Sequence, residues 1–144
     1  SALPGAGAAG GMGGGMAAFF GSPLKAGIDV VLDAVNFDAL VKDADLVFTG
    51  EGRLDSQSLC GKVVVGVARR AKRQGVPVIA IAGVTGDGIE GVYHEGVSAV
   101  FVTNRAARPV AELPSHCADD LALAMDNLMR FMALFSKGAG HHRF

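Results

Sequence analysis

A seven-residue apolar run, VPVIAIA at residues 76–82, constrains the fold of this chain more than any other feature. A strand that is apolar at every position is typical of a parallel sheet, because both of its faces are then covered by helices. Gly75 precedes the run and is a suitable end for a helix. Two further segments, residues 46–48 and 97–103, have the β-branched and aromatic character of strands. The chain is therefore expected to be an α/β protein.

Helical patterns alternate with these strands. Residues 27–41 and 61–74 carry apolar side chains at helical spacing, and the first pattern is interrupted near Asn36. The second helix has a basic face that is expected to point outward, formed by Arg69, Arg70, Lys72 and Arg73. Residues 114–135 predict a long final helix. Its inward stripe is expected to be Leu121, Met125, Leu128, Met129, Met132 and Phe135. The pattern predicts a three-layer, mainly parallel α/β sheet with right-handed crossovers.

Charged and polar side chains follow the first strand, in a glycine-containing loop at residues 49–62. Loops at strand ends are where open α/β sheets bind ligands, so the functional loop is expected to begin at Thr49. Two carboxylates, Glu51 and Asp55, can hold magnesium or accept a proton. Two cations, Arg53 and Lys62, can neutralise phosphate oxygens, so the loop suits a phosphorylated ligand with a divalent ion. The further residues expected to bind substrate or phosphate are Thr49, Gly50, Gly52, Ser56 and Gln57.

An alternative explanation of this loop is a solvated, salt-bridged turn. A P-loop is not supported, although Gly61 and Lys62 precede a helix. The P-loop pattern requires a glycine at the position of Ser56 and a serine or threonine at the position of Val63. Phosphate binding here would therefore not use a hydroxyl group that follows the lysine.

A second glycine-rich loop is expected at residues 83–91, after the apolar strand. Because neighbouring parallel strands end at the same edge of a sheet, Thr85 and Asp87 would border the same site as the first loop. The alternative for this loop is an ordinary turn that caps a helix.

The amino-terminal segment contains seven glycines between Gly5 and Gly15 and is expected to enter a helix that ends near Phe20. Its Gly5, Gly7 and Gly10 fit the spacing G-x-G-x-x-G, but a dinucleotide-binding loop needs a preceding strand and four residues stand before it. Two explanations remain open. Free backbone N–H groups at the helix start could receive an anion, or small residues could allow tight packing against a neighbour.

Composition argues against binding to nucleic acid or to a membrane. The formal net charge of −1 gives no general attraction to polyanions. The apolar runs fall far short of the ~20 residues that cross a bilayer. Cys60 and Cys117 lack metal-ligand spacing and are expected to be reduced cytosolic thiols.

Three segments of the sequence carry a family resemblance. They are PGAGAAGGMG at residues 4–13, DADLVFTGEGRLDSQSLCGK at residues 43–62 and GVPVIAIAG at residues 75–83. Together they resemble the carboxyl-terminal part of the type I glycerate kinases, the bacterial glycerate 2-kinase family. The resemblance implies that residues 1–137 form one flavodoxin- or Rossmann-like α/β unit of a longer, two-domain protein. Residues 138–144 are expected to be a disordered tail.

The resemblance implies an activity and its co-substrates. Type I glycerate kinases are cytoplasmic enzymes that transfer the γ-phosphoryl group of ATP to D-glycerate with magnesium, which gives 2-phosphoglycerate and ADP. On this basis Asp55 would act as a base that orients the glycerate hydroxyl, or as a magnesium ligand beside Glu51. Arg53 would pair with the glycerate carboxylate or a phosphate, and Lys62 would stabilise charge on the transferred group.

The resemblance also gives the amino-terminal glycines a place in the site. Gly5, Gly7 and Gly10 would bound the cleft near a phosphate. Two other functions remain open at this point. One is a non-catalytic, truncated α/β domain that needs missing amino-terminal segments or a homo-oligomeric partner chain. The other is an NAD-binding module that rests on the same three glycines.

Overall fold

The structure, a computed structural model, describes residues 3–59 and 61–136. Cys60 and the tail expected at residues 138–144 lie outside the described residues. The helices of the described part are α1 (Met12–Phe20), α2 (Gly27–Ala34), α3 (Phe37–Val41), α4 (Val63–Arg73), α5 (Gly91–His94) and α6 (Leu113–Ser136). The strands are β1 (Val47–Leu54), β2 (Val78–Thr85) and β3 (Ala99–Val102). Two short 3-10 turns cover Ser56–Leu59 and Val110–Glu112.

The strands form a parallel sheet in the order β1-β2-β3 within the described residues. Val47 pairs with Val78 at the start of β1, and Ile79 of β2 pairs with Ala99. Helices connect the successive strands, as a parallel order requires. The α/β fold predicted from the apolar run is therefore confirmed.

The main core lies on one face of the sheet, beneath α4. Alternate residues of β2, namely Val78, Ala80 and Ala82, are fully or almost fully buried. They form one apolar cluster with Leu54, Val64, Val65, Ala68, Ala71, Val76, Val92 and Val97. The helix ends as the sequence predicts, with Gly75 in a left-handed conformation at φ 72° just beyond it. The predicted interruption near Asn36 is also present, because this residue separates α2 from α3 at φ 51°.

The opposite face of the sheet is covered less completely by α6. Ile79 and Phe101 line an apolar cavity of about 580 Å³ together with Leu128 and Met132 of the helix. The predicted inward stripe of α6 is partly wrong. Leu128 is buried, but half of the surface of Met129 remains exposed. At 24 residues the helix is about 36 Å long, which exceeds the length of the strands beneath it.

Two strands are longer than their sequence patterns suggest. β1 continues through Thr49 and Arg53, and β2 continues through Gly83, so these residues are strand residues and not loop residues. Pairing of β1 with β2 explains the difference, because it supplies backbone hydrogen bonds that outweigh the flexibility of glycine. Two glycines face each other here, and a Cβ atom on Gly83 would lie 2.6 Å from the carbonyl oxygen of Gly52.

Arg70 points inward, contrary to the predicted basic face of α4. Its guanidinium group is ion-paired with Asp33 and donates hydrogen bonds to the Asp38 carboxylate at 3.2 Å and the Asp29 carbonyl at 3.3 Å. These acceptors lie on α2 and α3, so one side chain ties both helices to α4. None of the helices in residues 3–59 and 61–136 combines the length and apolarity needed to cross a bilayer.

Candidate functional site

The carboxyl ends of β1 and β2 bring the two predicted loops together. The Gly86 amide donates to the Leu54 carbonyl at 2.8 Å, and the Ser56 amide donates to the Asp87 carbonyl at 3.0 Å. Thr85 is the last residue of β2 and pairs with Leu54. The predicted proximity of Thr85 and Asp87 to the first loop is therefore confirmed.

Arg53 and Asp55 form an ion pair at this edge. The Arg53 Nε group donates to Asp55 Oδ2 at 2.9 Å, and the Gln57 amide donates to the second carboxylate oxygen at 3.0 Å. The Asp55 amide donates to the hydroxyl of the buried Ser58 at 3.3 Å. Asp55 is therefore held on three sides, whereas the Arg53 side chain is 64% exposed.

The ion pair also fixes the charge of Asp55. The hydrogen bond from Arg53 lowers the pKa of this carboxyl group, against partial burial, which raises it, and the Gln57 amide and the Lys62 charge lower it further. Asp55 is therefore ionised at neutral pH. A carboxylate in this state can orient a hydroxyl group or bind a cation.

Glu51 and Lys62 form the second charged pair of the edge. Lys62 Nζ lies 3.8 Å from Glu51 Oε1, and Lys62 directly precedes α4. Glu51 Oε2 is buried and accepts no hydrogen bond within the described part of the chain. A buried carboxylate oxygen without a donor is costly, so this atom suits a ligand that brings a cation or a proton.

The donor set fits a magnesium ion that is held mainly by substrate. Residues 3–59 and 61–136 contain no group of three or more His, Cys, Asp or Glu side chains that could hold a metal. Magnesium in nucleotide sites commonly binds one or two carboxylates, with phosphates and waters as the other ligands. Glu51 offers a free carboxylate oxygen for this purpose, while both oxygens of Asp55 already accept hydrogen bonds.

The amino-terminal glycines form turns before α1. The Gly5 carbonyl accepts a hydrogen bond from Ala8 at 3.0 Å, and the Gly7 carbonyl accepts one from Gly11 at 3.3 Å. Gly5 and Gly10 have φ values of 84° and 67°, which favour glycine over other residues. These contacts lie within the segment, and its role near a phosphate stays a prediction.

A polar group that the sequence did not predict follows β3 at the same edge. Arg105 and Arg108 donate to opposite oxygens of Asp120 at 2.6 and 2.7 Å, and the Asp120 side chain is 4% exposed. Burial raises the pKa of Asp120, but the two guanidinium groups outweigh it and leave the pKa below its ordinary value. Asn104 and Arg105 follow the third predicted strand, and the rule that places ligands at the carboxyl ends of parallel strands applies to them as it does to the loops after β1 and β2.

Comparison with known proteins decides the family. A model of the Glycerate kinase family matches residues 1–133. The chain belongs to the glycerate kinase family. It is 55% identical over 101 residues to a glycerate kinase of Halalkalibacterium halodurans, covering 70% of this chain and 27% of that protein. It is 43% identical over 138 residues to the glycerate 2-kinase of Escherichia coli, covering 96% of this chain and 36% of that protein.

A solved structure of this family supports the fold. The putative glycerate kinase 2 from Salmonella typhimurium LT2 superposes with a TM-score of 0.67 at 39% identity, covering 92% of this chain and 34% of that one. The chain therefore spans about a third of the length of the relatives that it matches.

Proposed function

We propose that this chain carries a phosphoryl-transfer site of a glycerate kinase, which transfers the γ-phosphoryl group of ATP to D-glycerate. The observation that carries the proposal is the arrangement of two charged pairs at one strand end, Arg53 with Asp55 and Glu51 with Lys62. Glu51 and Arg53 are two residues apart on β1, so their side chains leave the same face of the sheet. The products are 2-phosphoglycerate and ADP, and the reaction takes place in the cytoplasm.

Arg53 and Lys62 supply the positive charge that a phosphoryl-transfer site needs. Asp55 holds Arg53 through Nε, and the exposed remainder of the guanidinium group is free to approach an anion. A planar guanidinium binds carboxylate and phosphate with two parallel hydrogen bonds, which suits the glycerate carboxylate or a phosphate. Lys62 precedes α4, whose amino end adds partial positive charge, and neutralises the transferred group.

Asp55 orients the attacking hydroxyl group of glycerate. Phosphoryl transfer needs little covalent chemistry from the protein, and a carboxylate that accepts the substrate hydroxyl proton is a common device. Asp55 is ionised, and hydrogen bonds from Arg53 and Gln57 hold its carboxylate in place, which suits this role. Ser56 and Gln57 follow the same strand end and would complete the substrate contacts, whereas Thr49 lies within β1, five residues before Leu54.

Magnesium accompanies ATP at this site. Glu51 Oε2 would hold the ion, with the phosphates and waters as its remaining ligands. When bound, magnesium neutralises the charge on the phosphate oxygens. The Lys62 ammonium group then keeps the Glu51 side chain in position through Oε1.

The test is ADP release by the purified 144-residue chain with D-glycerate, ATP and magnesium. The Escherichia coli glycerate 2-kinase serves as the positive control, and the Asp55→Asn variant of this chain as the negative control. The proposal expects glycerate-dependent ADP release that Asp55→Asn abolishes. Release that is unchanged in Asp55→Asn would contradict the site assignment.

A second candidate is that this chain needs further polypeptide for activity. Large apolar side chains are exposed on the α6 side of the sheet, including Phe48 of β1 and Phe131 of α6. Exposed apolar surface of this kind marks an interface. The relatives, which are about three times as long, contain polypeptide that could cover it.

Complementation separates the two candidates. The unmatched part of the Escherichia coli glycerate 2-kinase would be purified and mixed with this chain, and ADP release measured against each part alone. Activity only in the mixture, with loss of binding of a hydrophobic dye, favours the second candidate. Activity of this chain alone favours the first.

A further inference from the structure

Asp55 stands between β1 and the short 3-10 turn Ser56–Leu59, and the turn folds back on it. The Asp55 carboxylate accepts a hydrogen bond from the Gln57 amide at 3.0 Å. The hydroxyl group of Ser58 in turn accepts one from the Asp55 amide at 3.3 Å. These two contacts follow the pattern of reciprocal capping, in which two side chains near a helix start each accept a hydrogen bond from a backbone amide. Asp55 therefore caps the turn, and Ser58 holds Asp55.

The backbone around Asp55 is fixed by further hydrogen bonds. The loop after β2 binds the backbone on either side of Asp55, through the Leu54 carbonyl and the Ser56 amide. The Ser58 amide donates to the Asp55 carbonyl at 2.9 Å. These three contacts join backbone atoms, so a change of side chain does not remove them. The contact to the Ser58 hydroxyl group uses a side chain, and a substitution can remove it.

Ser58 is fully buried, although serine is mostly an exposed residue in proteins. The turn that carries it contacts α4 and α5. Its next residue, Leu59, packs against the main core, and a Cβ atom built on Gly91 of α5 would lie 2.6 Å from Leu59 Cδ1. Because the turn rests on the core, the position of the Ser58 hydroxyl group is set by the packing beneath it.

The side chain of Asp55 has little room to move. A Cβ atom built on Gly86 would lie 3.0 Å from Asp55 Cβ and 2.8 Å from Arg53 Nη2, so the loop after β2 passes directly beside both side chains. The Arg53 Nε group and the Gln57 amide each donate to one carboxylate oxygen. The direction of the carboxylate therefore follows from the position of the backbone at Asp55.

We propose that Ser58 is a positioning residue for phosphoryl transfer, whose buried hydroxyl group fixes the Asp55 backbone and thereby orients the Asp55 carboxylate toward the substrate hydroxyl group. The inference rests on the proposed function, because it names a further residue for the same reaction. Ser58 is fully buried and acts through Asp55. A displacement of a catalytic group by about 1 Å can lower the rate about 100-fold, so a single hydrogen bond behind Asp55 matters.

Two serine-to-alanine variants test the inference by kinetics. Ser98→Ala is the matched control for Ser58→Ala, because the Ser98 hydroxyl group accepts a hydrogen bond from the Val78 amide at 3.1 Å, at the opposite end of β2. ADP release is measured with this chain, alone and mixed with the unmatched part of the Escherichia coli glycerate 2-kinase. We expect Ser58→Ala to lower kcat at least about tenfold with the KM for D-glycerate within about twofold, whereas Ser98→Ala changes neither. An unchanged kcat in Ser58→Ala, or an equal loss in Ser98→Ala, would overturn the inference.

A third variant and a stability measurement separate positioning from loss of folded protein. Ser58→Thr keeps a hydroxyl group at the same position, so its kcat should lie closer to that of the unaltered chain than to that of Ser58→Ala. Urea denaturation of all variants identifies a temperature at which each is folded, and kcat is compared there. The comparison then reports the geometry of the site and not the population of folded chain.

The ion pair between Arg53 and Asp55 provides a readout that does not depend on catalysis. The Arg53 Nε proton is bonded to Asp55 Oδ2, and Arg53 lies five residues before Ser58, so a substitution at Ser58 reaches this proton through Asp55. In the ¹⁵N-labelled 144-residue chain, Ser58→Ala should raise the rate at which this proton exchanges with water at least about fivefold, whereas Ser98→Ala should not. Equal rates in the unaltered chain and Ser58→Ala would overturn the inference.

The two readouts separate this inference from the proposed function. Faster exchange of the Arg53 proton in Ser58→Ala, in a chain that releases no ADP, retains the assignment of Ser58 while the kinase assignment fails. ADP release that Asp55→Asn abolishes and Ser58→Ala leaves unchanged overturns the inference and leaves the kinase assignment standing.

Discussion

A Cβ atom built on Gly66 would lie 2.6 Å from Cγ1 of Ile28. Gly66 is a buried residue of α4, and Ile28 belongs to α2. The absence of a side chain at Gly66 therefore permits the close packing of these two helices. The contact lies next to the loop that ends in Lys62, so it also helps to position the candidate site.

We predict that Gly66→Ala destabilises the chain. Alanine would normally stabilise a helix interior by roughly 1 kcal/mol, but here overpacking against Ile28 should reverse the sign and cost about 1–3 kcal/mol. Gly15→Ala in α1 is the matched control, because a Cβ atom there meets nothing within 4 Å among the described residues. Urea denaturation gives the free energy of unfolding of both variants. Stabilisation by Gly66→Ala would contradict the packing described for α2 and α4.

Arg70→Lys should lower the melting temperature by at least about 3 °C. A lysine ammonium group cannot reach the Asp33 and Asp38 carboxylates and the Asp29 carbonyl together, whereas the planar guanidinium group does. Arg73→Lys, on the exposed side of the same helix, is the control and should change the melting temperature by no more than about 1 °C. Equal effects in thermal denaturation would mean that Arg70 does not tie the helices together.

Asp120→Asn should destabilise the chain more than Asp119→Asn. Asp120 is buried beneath two arginines, while its neighbour Asp119 is exposed, so the two substitutions make the same charge change in different surroundings. Removal of the carboxylate leaves Arg105 and Arg108 without their shared partner. Urea denaturation at pH 7 compares the two variants, and equal midpoints would contradict the pairing.

The stability of the chain should fall in acid, in part because of Asp120. Its pKa in the folded state is below the unfolded value of about 3.9, so its contribution is complete above that pH. The contribution is lost as pH falls through the folded pKa. Urea midpoints between pH 5 and pH 2.5 should therefore decline less steeply in Asp120→Asn than in the unaltered chain. If the urea midpoints of the two proteins declined with equal slopes, folding would not lower the pKa of Asp120.

Much of the fold follows from local patterns in the sequence. The apolar run predicted β2, the helical spacing predicted α4 and α6, and the break in spacing near Asn36 predicted the boundary between α2 and α3. Parallel strands also explain why the loops after β1 and β2 meet. The strand and helix patterns depend on residues that are close in sequence, and the meeting of the loops follows from the parallel order of the strands.

The remaining features depend on partners that are distant in sequence. β1 continues through Gly50 and Gly52 because β2 pairs with it, and the strand pattern of residues 46–48 contains no such information. Arg70 turns inward because aspartates from two other helices receive it. The approach of Asp120 to Arg105 likewise requires the docking of α6, which spacing along the chain does not reveal.

The central claim is that Asp55 and its neighbours form the phosphoryl-transfer site. A chimera tests it most directly, in which this chain replaces the matched third of the Escherichia coli glycerate 2-kinase, and D-glycerate-dependent ADP release is measured. We predict an active chimera in which Asp55→Asn lowers kcat by at least about 100-fold, whereas Asp119→Asn leaves it unchanged. An active chimera whose kcat is the same with and without Asp55→Asn would contradict the claim.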